Sequence, residues 1–292
     1  MITMSKTFKA TIQKHPREGG LSLLGSILGW VAVCLFFLMI VLPLVWMVLS
    51  SFKTTNEIFS NLWGLPSVWQ TSNYVQAWNS GISKYFLNSL FVTLTTVLLT
   101  LLACCTYAFS LSVYRFPGKK FFFVFALAGM MFSPIVSIIP LYQEVQALRL
   151  YNTQWSLILI YAAYQMAMSF LIIHNCFTDI DKAYLEAARI DGCTDFGILT
   201  QIYLPMSKPV LLTSAVLTGF YAWNEFTFAL VFVKKEELLT IPVGLLSFKG
   251  EMHAEWAVLL AGLTISAVPI ILFYIFAQKY FIAGLSAGGV KG

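Results

Sequence analysis

Six long apolar runs constrain the fold of this 292-residue chain more than any other feature. Each is long enough for the roughly 20 residues that a helix needs to cross the hydrocarbon core of a bilayer. Because lipid offers no hydrogen-bond partners to backbone N–H and C=O groups, each run is predicted to be a helix, in which these groups bond to one another. The runs are 21–49, 85–113, 121–142, 155–177, 210–233 and 256–281. With 59% hydrophobic and 11% charged residues, the chain is predicted to be an all-α membrane protein with six transmembrane helices.

The basic residues predict how these helices are oriented. A short basic turn at 114–120 joins the second and third runs, and cytoplasmic loops carry an excess of Lys and Arg. With both termini cytoplasmic, twelve of the 18 Lys and Arg residues lie inside and six outside, namely Lys53, Lys84, Arg149, Lys234, Lys235 and Lys249. We therefore predict a cytoplasmic segment at 1–20, a six-span domain at 21–283 and a cytoplasmic tail at 284–292, in a chain surrounded by membrane lipid.

The sequence argues against an enzyme, a metal site or a nucleic-acid surface. The five cysteines form no CxxC pair and have no His at ligand spacing, which predicts buried structural thiols. The basic residues form no run typical of nucleic-acid binding. No GxxxxGK[ST] loop is present, since the triplet Gly118, Lys119 and Lys120 lacks the upstream Gly and the hydroxyl. The chain itself is therefore not predicted to bind ATP or another cofactor.

A polar segment at 179–209 interrupts the apolar sequence between the fourth and fifth runs. Asp181 is predicted to cap a first helix, and Gly192 to supply the left-handed turn that ends it. Thr194 is predicted to cap a second helix, which should stop near Leu204 because Pro205 restricts the residue before it. The segment is therefore predicted to be a helix-turn-helix on the cytoplasmic surface.

Seven residues of this segment form a spaced pattern: Glu186, Ala187, Ala188, Gly192, Ile202, Leu204 and Pro205. The pattern resembles the EAA loop of the permease subunits of binding-protein-dependent ABC importers. The resemblance implies the type I importer permease fold, in a bacterial cytoplasmic membrane, with the helix-turn-helix as a coupling loop. It also implies that these seven residues and Asp191 contact a nucleotide-binding subunit. An amphipathic hairpin without a partner is the alternative interpretation.

The resemblance also implies the partners and the solute. The last residues of the chain, GLSAGGVKG, are similar to the ending of carbohydrate permeases of the maltose-transporter type. The resemblance implies that Gly288, Gly289 and Lys291 of this chain contact the nucleotide-binding dimer. Expected partners are a second, homologous permease, two nucleotide-binding subunits that bind ATP and Mg²⁺, and an extracytoplasmic solute-binding protein. The expected solute is a sugar, a di- or oligosaccharide, with a glycerol-phosphate diester or a polyol as alternatives.

Glu225 is a carboxylate inside the fifth apolar run, with Asn224 beside it. A charge there is costly, so it either lines a water-filled path or bonds two helices together. The sequence Trp-Asn-Glu-Phe at 223–226 is similar to the fifth helix of carbohydrate permeases. Gln165 and Asn88 are further candidates for the path, with helix packing as the alternative.

An ion-coupled secondary transporter would use Glu225 as its ion site, although no two-fold hydropathy repeat is visible. Besides an ABC importer subunit and a secondary transporter, the third possible class of protein is a non-transporting membrane scaffold.

Two loops are predicted to face outward. Residues 50–84 are rich in Trp and Tyr, which suits either anchoring at the membrane interface or contact with an external partner. Residues 234–255 join the last two runs. By the resemblance, the tip of this loop, formed by Lys249, Gly250, Glu251 and Met252, would contact the solute-binding protein, and a solvated loop is the alternative.

Overall fold

The apolar runs form helices. The computed structural model describes residues 21–248 and 255–289, and within these ranges it contains no strand. The helices are α1 Leu21–Ser50, α2 Thr55–Ser60, α3 Ser72–Ala77, α4 Ser83–Val113, α5 Lys119–Ala128, α6 Pro134–Ala147, α7 Gln154–Asp179, α8 Lys182–Ile190, α9 Asp195–Ile198, α10 Leu204–Met206, α11 Lys208–Asn224, α12 Thr227–Phe232, α13 Ile241–Gly244 and α14 Trp256–Gly289. The all-α fold class is therefore confirmed.

Within the described ranges, four helical segments are long and apolar enough to cross a membrane: Gly25–Ser50, Ser72–Val113, which is kinked at Gly81, Gln154–Asp179 and Trp256–Ile275. The predicted third run is instead a bent pair, α5 with its short extension and α6, whose axes differ by 106°. The predicted fifth run is divided into α11, of 17 residues, and α12, of 6 residues. Six crossings would require both divided runs to span the bilayer, so that number stays a prediction.

Only the first of the two divisions has a local cause in the sequence. Ser133, which precedes Pro134, is extended with φ −71° and ψ 131°, because a residue before proline is pushed out of the helical region. Pro134 and Pro140 in this run predict a bend, and the structure shows a full break at Ser133. Glu225 is also extended, with φ −67° and ψ 126°, and separates α11 from α12. No proline explains that second break, which the sequence did not predict.

The chain divides into two units, residues 1–47 and 48–292. In the first unit, α1 contains Pro43 and remains one helix. In the second, α4 packs along α7, and α11 packs against both. A buried hydrogen bond of 3.2 Å between the hydroxyls of Ser169 and Thr218 joins α7 to α11, as expected for polar contacts between membrane helices.

Residues 50–82 form an ordered cap rather than an open loop. Lys53 is almost completely buried, and its ammonium donates to the carbonyl of Asn61 at 2.7 Å, just past the end of α2. The amide of Asn73 donates to the carbonyls of Ser51 and Lys53 at 2.8 and 2.9 Å. A cation at a helix C-terminus is favourable, which explains how a buried lysine is stabilised there.

At the C-terminus, α14 runs to Gly289, past residue 284 where a separate flexible tail was expected to begin. The backbone of residues 284–289 is helical, because a helix tolerates glycine at about 1 kcal/mol for each Gly. The start of a cytoplasmic tail at residue 284 stays a prediction.

Candidate functional site

The first helix of the hairpin, α8, has a defined cap at each end. A side-chain oxygen of Asp181 accepts from the N–H of Ala183 at 3.0 Å, as predicted. Gly192 has φ +81°, in the left-handed region that glycine adopts without strain. The N–H of Cys193 donates to the carbonyl of Ala188 at 2.9 Å and that of Gly192 to the carbonyl of Arg189 at 3.1 Å, the two bonds of a Schellman motif.

The second helix of the hairpin differs from the prediction at its end. Thr194 caps it as expected, accepting from the N–H of Gly197 at 3.2 Å. The helix then widens into a π turn at Leu199–Tyr203 and continues as α10 to Met206. Pro205 lies in the first turn of α10, where a missing N–H is tolerated, so it does not end the helix at Leu204.

The hairpin is fixed to the membrane helices by an apolar inner face. Its inward side chains join one buried cluster with α4 and α7; they are Leu185, Ala188, Ile198, Leu199 and Tyr203. The ring of Tyr203 contacts Phe109 of α4 and Phe177 of α7, with centroids 5.1 and 5.2 Å apart. Burial raises the pKa of Tyr203. A displacement of the hairpin would therefore be transmitted to both helices.

The predicted pair of alanines does not share an outward face. Ala187 is exposed, whereas Ala188 is 5% exposed and packs inside the cluster. Two adjacent alanines would make a slim outer surface only if both faced outward, but residues adjacent in a helix point about 100° apart, so Ala188 faces inward. Leu204 and Ile202 are half-buried, and Pro205 is exposed.

The outward face of the hairpin is more apolar than the sequence analysis recognised. Ile190 is 87% exposed and Phe196 is 75% exposed, on either side of the turn at Gly192. Glu186 and Asp191 are also exposed. Large apolar side chains at the tip of an otherwise polar segment are the signal that could have identified these two residues.

Arg189 has a different partner from the one expected. Glu186 lies three residues before Arg189, a spacing at which the two could pair on one helix face, but the guanidinium lies 3.5 Å from a carboxylate oxygen of Asp195, with both side chains half-exposed. A side-chain hydrogen bond to Asp195 also raises the pKa of Tyr114, at the end of α4. Asp195 thus connects both hairpin helices to α4, and Glu186 is left facing solvent.

Glu225 holds two elements together. Its carboxylate accepts from the hydroxyl of Tyr161 at 2.7 Å, from the N–H of Phe228 at 2.9 and 3.1 Å, and from that of Ala229 at 3.1 Å. The first bond ties it to α7, and the others satisfy the free N–H groups at the start of α12. Of the two roles weighed for Glu225, these contacts match the bond between helices.

The remaining candidates for a translocation path are not gathered around Glu225. Asn224 is exposed, and its amide donates to the carbonyl of Phe220 in its own helix at 2.8 Å. Gln165 is half-buried, one helical turn beyond Tyr161 on α7. Asn88 is instead bonded to the segment that follows α12, with distances of 2.8 and 2.9 Å to the carbonyls of Glu237 and Leu239.

Several predicted contact residues fall outside the described ranges. Lys249, Gly250, Glu251, Met252 and Lys291 are among them, so their predicted roles stay predictions. Gly288 and Gly289 are described only as the backbone at the end of α14. Within the part of the chain that is described, no group of three or more His, Cys, Asp or Glu side chains could hold a metal ion.

Comparison with known proteins gives consistent matches. The profile of the family described as the binding-protein-dependent transport system inner membrane component matches residues 101–286. The probable ABC transporter permease protein YurM of Bacillus subtilis is 48% identical over 269 residues, which cover 92% of this chain and 90% of that protein. The arabinooligosaccharides transport system permease protein AraQ of Halalkalibacterium halodurans is 35% identical over 257 residues, covering 86% and 91%.

A solved structure has the same fold. It is a chain of a bacterial ABC transporter involved in the import of the acidic polysaccharide alginate. The TM-score is 0.81 at 24% sequence identity, and the match covers 91% of this chain and 100% of that one.

Proposed function

Because the chain belongs to the family of inner membrane components of binding-protein-dependent transport systems, we propose that it is a permease subunit of an ABC importer for an oligosaccharide. A protein of this family is a transport component rather than an enzyme, and it works with a solute-binding protein. The observation that carries the proposal is the capped hairpin α8–α9, whose inner face packs on α4 and α7 while its tip is apolar and exposed.

The hairpin tip would be the contact with an ATP-hydrolysing partner. The exposed surface formed by Glu186, Ala187, Ile190 and Phe196 offers an apolar centre with a carboxylate at its edge. Such a centre would be buried in a cleft of the partner, and the charge would pair at its rim. Asp191 and Gly192 form the turn within this surface. ATP and Mg²⁺ would be bound entirely by two such subunits.

Transport would then follow from movement of the hairpin. The caps at Asp181 and Thr194 and the left-handed turn at Gly192 make the hairpin stiff, so closure of the partner's cleft would displace it as one body. Its inner face contacts α4 and α7, and its end leads directly into α11. The solute would pass between this chain and a second, homologous permease, with Asn224 and Gln165 as candidate lining residues and Glu225 holding α12 in place.

Two contacts are proposed from the family alone, and the orientation is proposed from the distribution of charge. The C-terminal residues Gly288, Gly289 and Lys291 would reach the nucleotide-binding dimer, and 249–252 would reach the solute-binding protein. Both termini and the hairpin would be cytoplasmic, which the distribution of Lys and Arg favours. Each of these proposals can be tested by site-specific crosslinking in the assembled transporter.

The names of relatives support an oligosaccharide. AraQ is named for arabinooligosaccharides, and the 30% identical NgcG of Streptomyces coelicolor is named for diacetylchitobiose. A glycerol-linked solute is the second candidate, because SmoH of Agrobacterium fabrum, also 30% identical, is named for sulfoquinovosyl glycerol.

Reconstitution tests the proposal directly. The chain is co-expressed with a companion permease and an ATPase subunit, placed in proteoliposomes, and supplied with the solute-binding protein and a panel of labelled oligosaccharides. We expect ATP-dependent uptake that requires the solute-binding protein. Uptake that persists without ATP and stops with a protonophore would instead establish a secondary transporter. Purification without any ATPase subunit, together with no uptake, would favour a scaffold.

A further inference from the structure

An apolar groove lies between α4 and α14, with α11 as its floor. α11 packs against both of the other helices. The groove has a volume of about 590 Å³, within the range of about 300–1,000 Å³ that is typical of pockets for small molecules. Its lining comes from three stretches, 90–97 of α4, 215–223 of α11 and 269–274 of α14. The first and last lie inside segments long and apolar enough to cross a membrane, which places the groove in the hydrocarbon core of the bilayer.

The rim of the groove is exposed, whereas its floor is buried. Leu94 of α4, Phe220 of α11 and Ile271 of α14 are each more than half exposed. Val216 and Trp223, on the floor, are almost completely buried. The groove is therefore open along its rim and closed below, so a ligand can enter it from the side.

At Gly219 the floor has the width of one hydrocarbon chain. A Cβ built on this residue would lie 3.6 Å from Cγ2 of Val97 on α4 and 3.6 Å from Cε1 of Phe273 on α14. Carbon atoms in van der Waals contact are about 3.5–4.0 Å apart, so one carbon atom placed there would touch both walls at once. A helix, about 10–12 Å across with its side chains, is too wide to reach this floor. An unbranched hydrocarbon chain fits it.

The lining offers few hydrogen-bond partners. The indole N–H of Trp223 already donates to the carbonyl of Ser266 at 3.2 Å. Among the lining side chains, this leaves only the hydroxyls of Thr93 and Tyr274. An oligosaccharide in the groove would lose most of its hydrogen bonds to water without replacing them, which is costly. A hydrocarbon chain has no polar group to leave unpaired, so it suits the lining better than a sugar does.

We propose that this groove binds one straight acyl chain of a bilayer lipid, with Gly219 at its floor. The inference goes beyond the proposed function and is independent of the solute. A chain seated in the groove contacts α4, α11 and α14 together, and its many dispersion contacts hold the three helices at a fixed spacing. Because α11 begins directly after the last helix of the hairpin, any movement of α11 against its neighbours would change the width of this site.

Photolabelling of the assembled importer tests the site. The importer is placed in nanodiscs of palmitoyl-oleoyl phosphatidylcholine with a trace of the same lipid carrying a diazirine on its straight acyl chain, and labelled residues are mapped by mass spectrometry. Leu35 and Phe36, which are exposed on α1, report ordinary contact with the bilayer. We expect Leu94, Phe220 and Ile271 to be labelled about tenfold more, the ratio for a site that holds the chain about 1.4 kcal/mol more tightly than the surrounding bilayer does.

A variant that fills the floor should abolish this difference. Gly219→Leu should reduce labelling of the groove to the level found on α1, because its side chain takes the place of the acyl chain. The matched control is Gly29→Leu, which adds the same side chain to α1 at a position where a Cβ would meet no atom within 4 Å. It should leave labelling of the groove unchanged.

Competition in the wild-type importer needs no variant, and therefore decides even if Gly219→Leu does not assemble. Unlabelled palmitoyl-oleoyl phosphatidylcholine should displace the probe from the groove. Diphytanoyl phosphatidylcholine, which has the same headgroup and methyl-branched chains, should displace it poorly because a branch does not fit a floor one carbon atom wide.

Three results would overturn the proposal. Equal labelling of the groove and of α1 would show ordinary contact with the bilayer. Labelling of the groove in this chain alone, but not in the assembled importer, would show that a helix of another subunit covers it. Equal displacement by straight and branched chains would exclude a site shaped for one straight chain. Since none of these measurements depends on uptake, each of these results would leave the proposed function standing.

Discussion

Glu225 shows how a carboxylate is stabilised at a break between two apolar helices, α11 and α12. Its two oxygens accept four hydrogen-bond contacts, from Tyr161 and from the backbone at the start of α12. The extended backbone at Glu225 places its carboxylate against the free N–H groups at the start of α12, and those bonds in turn stabilise the break in the fifth run.

Replacing Glu225 by Gln should weaken the fold rather than only transport. Gln has one acceptor oxygen, so either Tyr161 or a backbone N–H loses its partner. We expect the assembled complex to lose about 1 kcal/mol of unfolding free energy. Tyr161→Phe should lose a similar amount, and the double variant should lose less than the sum because the two share one bond. Denaturant unfolding in detergent measures this.

Tyr164→Phe is the matched control, since Tyr164 contacts Phe228 through its ring, at 5.3 Å between centroids, and the variant keeps that ring. Wild-type stability of Glu225→Gln, combined with reduced uptake, would return Glu225 to the translocation path.

Gly192 permits a second test at the level of one residue. Its φ of +81° strains any other residue, although a Cβ would meet no atom within 4 Å. Gly192→Asn should cost under about 1 kcal/mol, because asparagine visits the left-handed region. Gly192→Asp should cost more, since a negative charge at a helix C-terminus opposes the helix dipole. We expect ATP hydrolysis and uptake to be uncoupled in the Asp variant and largely retained in the Asn variant, as measured in proteoliposomes. Equal and full coupling in both would argue against a stiff turn.

At the scale of the element, the hairpin combines a buried inner face with an exposed apolar tip. The caps and the turn were predictable from the sequence, because Asp181, Thr194 and Gly192 act through local backbone chemistry. The inward position of Ala188 could not be predicted in this way, since it depends on how the hairpin packs on α4. The partner of Arg189 could not be predicted either, since it depends on how the two hairpin helices lie against each other. The break at Glu225 was missed for the same reason: it is stabilised by Tyr161, 64 residues away in sequence.

The exposed tip should bind the ATPase subunit. Ile190→Glu and Phe196→Glu are expected to leave stability within about 0.5 kcal/mol, because both side chains are mostly solvated. Each should reduce copurification of the ATPase subunit, since a charge would be buried in an apolar cleft. Phe116→Glu, at an exposed position outside the hairpin, is the control and should retain the subunit. Normal copurification in both tip variants would place the contact elsewhere.

At the scale of the whole molecule, the apolar runs predicted the helices well and their continuity poorly. Hydropathy reports the environment of a segment, so the bounds 85–113 and 155–177 differ by at most two residues from α4 and α7. It carries no information on whether a run is one helix or two. Pro134 signalled one break through the restriction on its neighbour, whereas the hydrogen bonds of Asn88 to the carbonyls of Glu237 and Leu239 have no local signature in the sequence.

The orientation of the chain can be tested with a thiol that it already contains. Cys193 is exposed in the turn of the hairpin, while Cys104 and Cys105 are buried. Ser67→Cys in a Cys193→Ser background places an exposed thiol in the ordered cap at residues 50–82, and keeps the hydrogen bond from the N–H of residue 67 to the carboxylate of Glu57. Because Lys and Arg favour a cytoplasmic hairpin, a membrane-impermeant maleimide should label Cys193 only in inside-out vesicles and the cysteine at position 67 only in right-side-out vesicles. The reverse pattern would place the hairpin outside, away from any ATP-hydrolysing subunit, and would remove the physical basis of coupling.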